Sequence, residues 1–228
     1  LIPFLLFMAI GPQLKWIKSD LENKKRLLIF FLFSLLLSLF ITKKLDKNFL
    51  INTILITSAF YLFFITVRDF FLKKFKNIHQ NISHFGFSLL ILSILFNNIF
   101  SSEVITNLKV GESFQSENFL ITFTDLDQIT KKNYTSFIGN FSIKDSNNTL
   151  DVLKPELRIY NQPNIITSEA DIKSSLLSDK FITMNTVQNE EYFNVRYQVK
   201  PFMVWIWISV LLITLGGLIS LLKKKYEK

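Results

Sequence analysis

Four long stretches of this chain are almost wholly apolar, and their lengths predict membrane-spanning helices at 27–42, 49–67, 82–100 and 201–222. A span needs about 20 apolar residues to cross a hydrocarbon core of about 30 Å. The first run is slightly short, but Arg26, Lys43 and Lys44 can snorkel from its ends. Residues 1–10 read as the tail of a fifth span ending at Gly11-Pro12. Because Leu1 stands inside that apolar run, the expectation is a chain whose N-terminal part is missing.

Between the third and fourth runs the pattern changes. Residues 101–200 are polar, Asn-rich and β-branched, with strand-like runs at 119–124, 134–143, 150–159, 180–186 and 192–199. Turn chemistry separates them at 110–112, 145–148 and 161–164. Residues 168–178 look helical, with Ser168 as the cap and Asp171 as its partner three positions on. The predicted fold class is therefore membrane α plus β: four complete spans and the tail of one, with a β-rich domain inserted before the last. The predicted domains are 1–100 for the membrane helices, 101–200 for a small β-sandwich or partial barrel, and 201–228 for the last helix and its tail.

Charge adds an orientation. Lysine and arginine collect at 13–26, at 68–81 and in the C-terminal tail, which puts those three on the cytoplasmic side and 101–200 on the opposite side. The loop 43–48, with three lysines, is a local violation of that rule. Of the net +8, the inserted segment contributes none, since it holds 10 basic and 13 acidic residues. The basic balance therefore reports membrane topology and gives no support to nucleic-acid binding.

Candidate chemistry is sparse. There is no cysteine, which removes thiolate nucleophiles, redox pairs and Cys-ligated metals. Carboxylate pairs such as Asp125 and Asp127, or Glu190 and Glu191, have no histidine nearby, and no phosphate loop or serine nucleophile motif occurs. No catalytic residue is assigned. Of two histidines, His79 sits among Asn77, Gln80 and Asn81 and reads as a solvated loop residue. His84 opens the third span. An ionisable group there is expensive and faces water or headgroups at the interface, a cofactor, or a proton path, and imidazole is the usual protein donor to heme iron. Gly86 lies about 200° round the helix from His84 and predicts close helix packing, as do Gly216, Gly217 and Ser220 in the last span. Trp205 and Trp207 read as an aromatic belt anchor or as a face for a planar ligand.

Several stretches, in order, resemble the C-terminal part of the CcmF family, heme lyase subunits of bacterial System I cytochrome c maturation. They are Gly11-Pro12, His84-Phe85-Gly86, Leu153-Lys154-Pro155-Glu156-Leu157-Arg158-Ile159-Tyr160 and Thr167-Ser168-Glu169-Ala170-Asp171-Ile172. The run Val195-Arg196-Tyr197-Gln198-Val199-Lys200-Pro201-Phe202-Met203-Val204-Trp205-Ile206-Trp207 and then Gly216-Gly217 follow. The resemblance implies an inner-membrane protein with 101–200 in the periplasm and a structural heme b. His84 is implied as an axial ligand of its iron, matching the second of two transmembrane histidines. The implied function is to help attach heme to apocytochrome c. Implied partners are the other maturation membrane subunits, a periplasmic heme chaperone and apocytochrome c, beside membrane lipid. The tryptophan-rich heme-handling motif and the other heme ligand belong to the family's upstream part, so activity of this chain alone is not implied. A membrane-anchored periplasmic scaffold without cofactor is the rival reading. A transporter component is weaker, since no span carries paired buried charges or a broken helix.

Overall fold

A computed structural model describes residues 2–11, 21–43, 49–72, 78–116, 119–145, 149–187 and 191–226. Lys15, Lys18, Lys47, Lys73, Lys74 and Lys76, used above for orientation, lie outside the described residues, as do Lys44, Pro12, Asn77, Glu190 and most of the turn at 145–148. The chain divides into two compact units, Leu1–Ile99 with Trp205–Lys228, and Phe100–Val204.

The helical unit is built from α1 (Ile2–Ile10), α2 (Leu21–Thr42), α3 (Phe49–Leu72), α4 (Ile78–Phe100) and α5 (Met203–Tyr226). All but the short α1 contain a stretch long and apolar enough to cross a membrane. α2 is inverted relative to a helix in water. Its buried face is Ser34, Ser38 and Thr42, each fully buried, while Ile29, Leu36 and Phe40 are exposed. Hydroxyls inside and hydrocarbon outside is the arrangement that lipid, not water, stabilises. α3 is the central helix. Its Ala59, Leu62 and Ile65 share a buried cluster with Leu5 and Ala9 of α1 and Leu92 of α4.

Hydroxyl pairs join these helices. Ser38 Oγ lies 2.5 Å from Thr57 Oγ1, Thr42 Oγ1 lies 3.0 Å from Thr53 Oγ1, and Thr66 Oγ1 lies 3.0 Å from Ser88 Oγ. Each hydroxyl also donates to a carbonyl three or four residues back on its own helix or accepts across the seam, so burial leaves no lone polar group at these positions.

The second unit is an all-antiparallel β-sandwich. One sheet has the order β1 (Ser102–Leu108), β10 (Phe193–Pro201), β9 (Ser178–Thr186), β8 (Asp171–Ser174). The other runs β2 (Ser113–Gln115), β3 (Phe119–Thr130), β4 (Tyr134–Asp145), β6 (Glu156–Tyr160), β7 (Ile165–Glu169), with β5 (Leu150–Leu153) also paired to β4. Alternate residues point inward, as the two-residue period of a strand requires. Ile121, Phe123, Phe141, Ile143, Met184 and Val195 meet in the core, where the rings of Phe123 and Phe141 stack at 4.4 Å. Gly111 turns the chain between β1 and β2 at φ +89°, which a side chain would oppose, and its N–H donates to Phe123 O at 2.7 Å.

Three expectations need correction. Residues 168–178 are not helical: they form the end of β7, all of β8 and the first residue of β9. The two supposed capping groups serve tertiary contacts instead, Ser168 Oγ donating to Met184 O on the opposite sheet at 2.7 Å and Asp171 Oδ2 accepting from Lys154 N at 2.6 Å. The run 150–159 is two strands, because Pro155 has no N–H for the ladder and the chain steps between Leu153 and Glu156. His79 is on α4, not in a loop, since the helix begins at Ile78.

One carboxylate ties the sheets together. Asp151, buried on β5, accepts from Lys173 Nζ of β8 at 2.7 Å and from Lys180 Nζ of β9 at 2.8 Å. These two bonds hold its carboxyl below the ordinary aspartate range. A folded-state pKa below the unfolded value stabilises the fold above the unfolded pKa of about 3.9, and that stability is lost as pH falls through the folded value. Asp151→Asn is expected to cost about 1–2 kcal/mol near neutral pH and to flatten the acid limb of a pH series of thermal melts. An unchanged acid limb would refute the assignment.

Candidate functional site

α4 places His84 between two packed faces. One face meets α5: a Cβ on Gly86 would come within 2.9 Å of Leu212 Cβ and 3.0 Å of both Ile213 N and Ser209 O. One turn away, Ser83 Oγ donates to Ile213 O at 3.5 Å, and a Cβ on Gly216 would sit 2.7 Å from His79 O and 2.8 Å from Ser83 N. The missing side chains of Gly86 and Gly216 therefore set how closely the two helices approach. Gly217, by contrast, faces open space, so the packing role belongs to only one glycine of that pair.

The other face meets α3. Ser88, one turn above His84, is fully buried against Thr66, and the Phe85 ring lies 5.8 Å from Phe63 and 6.3 Å from Phe70. Phe87 meets Phe4 of α1 edge-on at 5.8 Å. His84 itself is half-buried. The Thr66–Ser88 pair and the Phe60–Phe96 ring contact at 5.7 Å fix an antiparallel register. Asp69, only 8% exposed, is three residues beyond Thr66, and His84 is four residues before Ser88, so the two sit at about one level of the bundle. His79 is about 140° round α4 from His84, at 100° per residue, and so belongs to a different face.

Trp205 is half-buried and Trp207 is 66% exposed on α5, where Ser209 Oγ donates to Trp205 O at 2.6 Å. The two rings thus do not share one environment. Among the described residues no group of three or more His, Cys, Asp or Glu side chains could hold a metal ion, and the two imidazoles of α4, His79 and His84, stand on different faces of the helix. Sequence reasoning missed Asp69 and the hydroxyl seam. The seam had a signal, since Ser34, Ser38 and Thr42 recur every fourth residue, as do Thr53 and Thr57.

Residues 99–201 match the family model described as the CcmF C-terminal beta-sandwich. The cytochrome c-type biogenesis protein CcmF of Escherichia coli strain K12 is 25% identical over 237 residues, covering 100% of this chain and 37% of that protein. The CcmF of Haemophilus influenzae is 25% identical over 241 residues, covering 99% of the chain and 37% of its own length. A 31% identical stretch of 119 residues aligns with the cytochrome c-type biogenesis protein ccl1 of Rhodobacter capsulatus, covering 52% of the chain and 18% of that protein. The chain thus spans little more than a third of the two CcmF relatives. Among solved structures, the cytochrome c heme lyase CcmF shares its fold at TM-score 0.69 and 18% identity, over 95% of this chain and 38% of that one. With four helices long and apolar enough to cross a membrane, the sandwich and the match of residues 99–201 to the family model all in place, the chain is similar along its whole length to the C-terminal part of CcmF proteins.

Proposed function

We propose that this chain supplies the C-terminal membrane and sandwich portion of an inner-membrane heme lyase subunit. In that assembly it holds a b-type heme through His84 and helps attach a second heme to apocytochrome c. The observation that carries the reading is the family match across the sandwich, extended by alignment to the whole chain.

The donor chemistry on α4 fits one protein ligand to such a group. His84 is the histidine at the start of the apolar part of α4, half-buried and one turn before Ser88. A bound b-type heme would supply an iron centre held by imidazole. A further donor, and the tryptophan-rich motif that handles the second heme, would come from the rest of the protein. Asp69, buried at the level of His84, would orient the imidazole. The lysine distribution supports a periplasmic sandwich and cytoplasmic ends for α2, α4 and α5. The partners would then be apocytochrome c, a periplasmic heme chaperone and further maturation subunits of the same membrane.

The test is a chimera in which this chain replaces the matching C-terminal stretch of the Escherichia coli relative, expressed in cells lacking their own. Heme staining of denatured membranes should show covalently heme-bearing c-type cytochromes. Normal membrane levels of the chimera with no covalent heme would overturn the reading in favour of a scaffold without cofactor.

A further inference from the structure

The turn between β8 and β9 breaks the usual chemistry of turns. Its corners are Ser175 and Ser178, closed by Ser175 N to Ser178 O at 3.1 Å and by Ser175 Oγ to Ser178 O at 2.7 Å. The two central positions, where Gly, Asn, Asp or Ser normally stand, are Leu176 and Leu177, exposed by 69% and 70%. Two adjacent leucines on a rigid tip gain nothing from water.

The tip is tied to the place where the chain enters the membrane. Ser178 is paired with Pro201 at the end of β10, and the next residue, Phe202, donates its N–H to Leu177 O at 2.9 Å. Phe202 adopts φ 61°, a left-handed conformation that a bulky residue tolerates only when its surroundings demand it. The membrane-spanning stretch begins at the following residue, Met203. Met203 and Val204 belong to the same compact unit as the turn, so the distance from tip to helix start is fixed within that unit.

We propose that Leu176 and Leu177 form a membrane-interface anchor that dips into the boundary between lipid headgroups and acyl chains where α5 enters. Lipid is the occupant because the tip is bonded to the residue preceding a membrane span, and an apolar group at that level is stabilised by acyl chains. The anchor rests on α5 crossing the membrane and not on the heme reading.

The chain has no cysteine, so single labels are clean. Leu176→Cys and Leu177→Cys of the full chain, each labelled with a nitrobenzoxadiazole fluorophore, are placed in phosphatidylcholine nanodiscs. Val110→Cys is the reference: Val110 is 46% exposed and follows β1 at the opposite end of the same sheet, where Leu108 pairs with Phe193. Lipid carrying a nitroxide at the fifth acyl carbon should quench the labels at 176 and 177 several-fold more than the label at 110, and aqueous iodide should quench them several-fold less. Iodide quenching equal to that at 110 would overturn the proposal. So would protection from both quenchers, which would mean that protein covers the tip, and so would equal lipid quenching at all three sites.

Discussion

Full-length protein carrying His84→Ala is expected to lose most of its Soret absorbance per protein, while His79→Ala keeps nearly all of it. Alanine removes the imidazole lone pair outright, and a remaining ligand from elsewhere in the protein would hold the group by one bond at most. The two histidines make a matched pair for this comparison. Both are half-buried and on α4, five residues apart, but they face about 140° away from each other. What α5 meets at His79 is the backbone carbonyl, 2.7 Å from where a Cβ on Gly216 would stand, and His79→Ala leaves that carbonyl in place. His84 instead shares its side of α4 with Ser88, which is bonded to α3. Equal heme in the two variants, read as Soret absorbance against protein concentration, would make His84 an ordinary interfacial histidine.

The spans were legible because apolar length is a strong signal, and the helices extend beyond the apolar runs only into flanks such as Arg68 and Asp69 of α3. Most strands of the sandwich core were legible too, because β3, β4 and β9 bury alternate residues. β1 escaped notice since Ser102–Leu108 buries only Leu108 and interleaves Thr106 and Asn107 with its apolar positions. The error at 168–178 has a different origin. Ser168 and Asp171 carry the local signature of a helix start, and nothing in the local sequence reveals that Met184 and Lys154 will claim those groups. Asp151 was hidden for the same reason: its two lysines lie 22 and 29 residues away. At the candidate site, His84 stood out as an ionisable residue in a span. The level of Asp69 depends on the α3–α4 register, which only the Thr66–Ser88 and Phe60–Phe96 contacts set.

Gly216→Leu is expected to separate α5 from α4, whereas Gly217→Leu is expected to be nearly silent. A first carbon at position 216 would lie 2.7 Å from the carbonyl of His79 and 2.8 Å from the N–H nitrogen of Ser83. Both are backbone atoms inside a helix and cannot rotate away, so the helices must move apart or tilt. Position 217 has nothing within 4 Å of the same carbon, and leucine there adds apolar surface on the outside of the bundle. An overpacked contact costs about 1–3 kcal/mol when side chains can yield. With backbone on the other side, the upper end of that range applies, corresponding to a fall in melting temperature of roughly 6–12 °C for a chain of this size. The separation also displaces Gly86, whose own Cβ space is filled by Leu212 and the backbone of Ile213 and Ser209. Because α4 carries His84 on its other side, the Gly216 variant should lower heme content along with the melting temperature, and the Gly217 variant should change neither. Thermal melts of both variants in one detergent, followed by helical circular dichroism, decide the matter. Equal melting temperatures for the two would show that the α4–α5 contact does not depend on a glycine at 216.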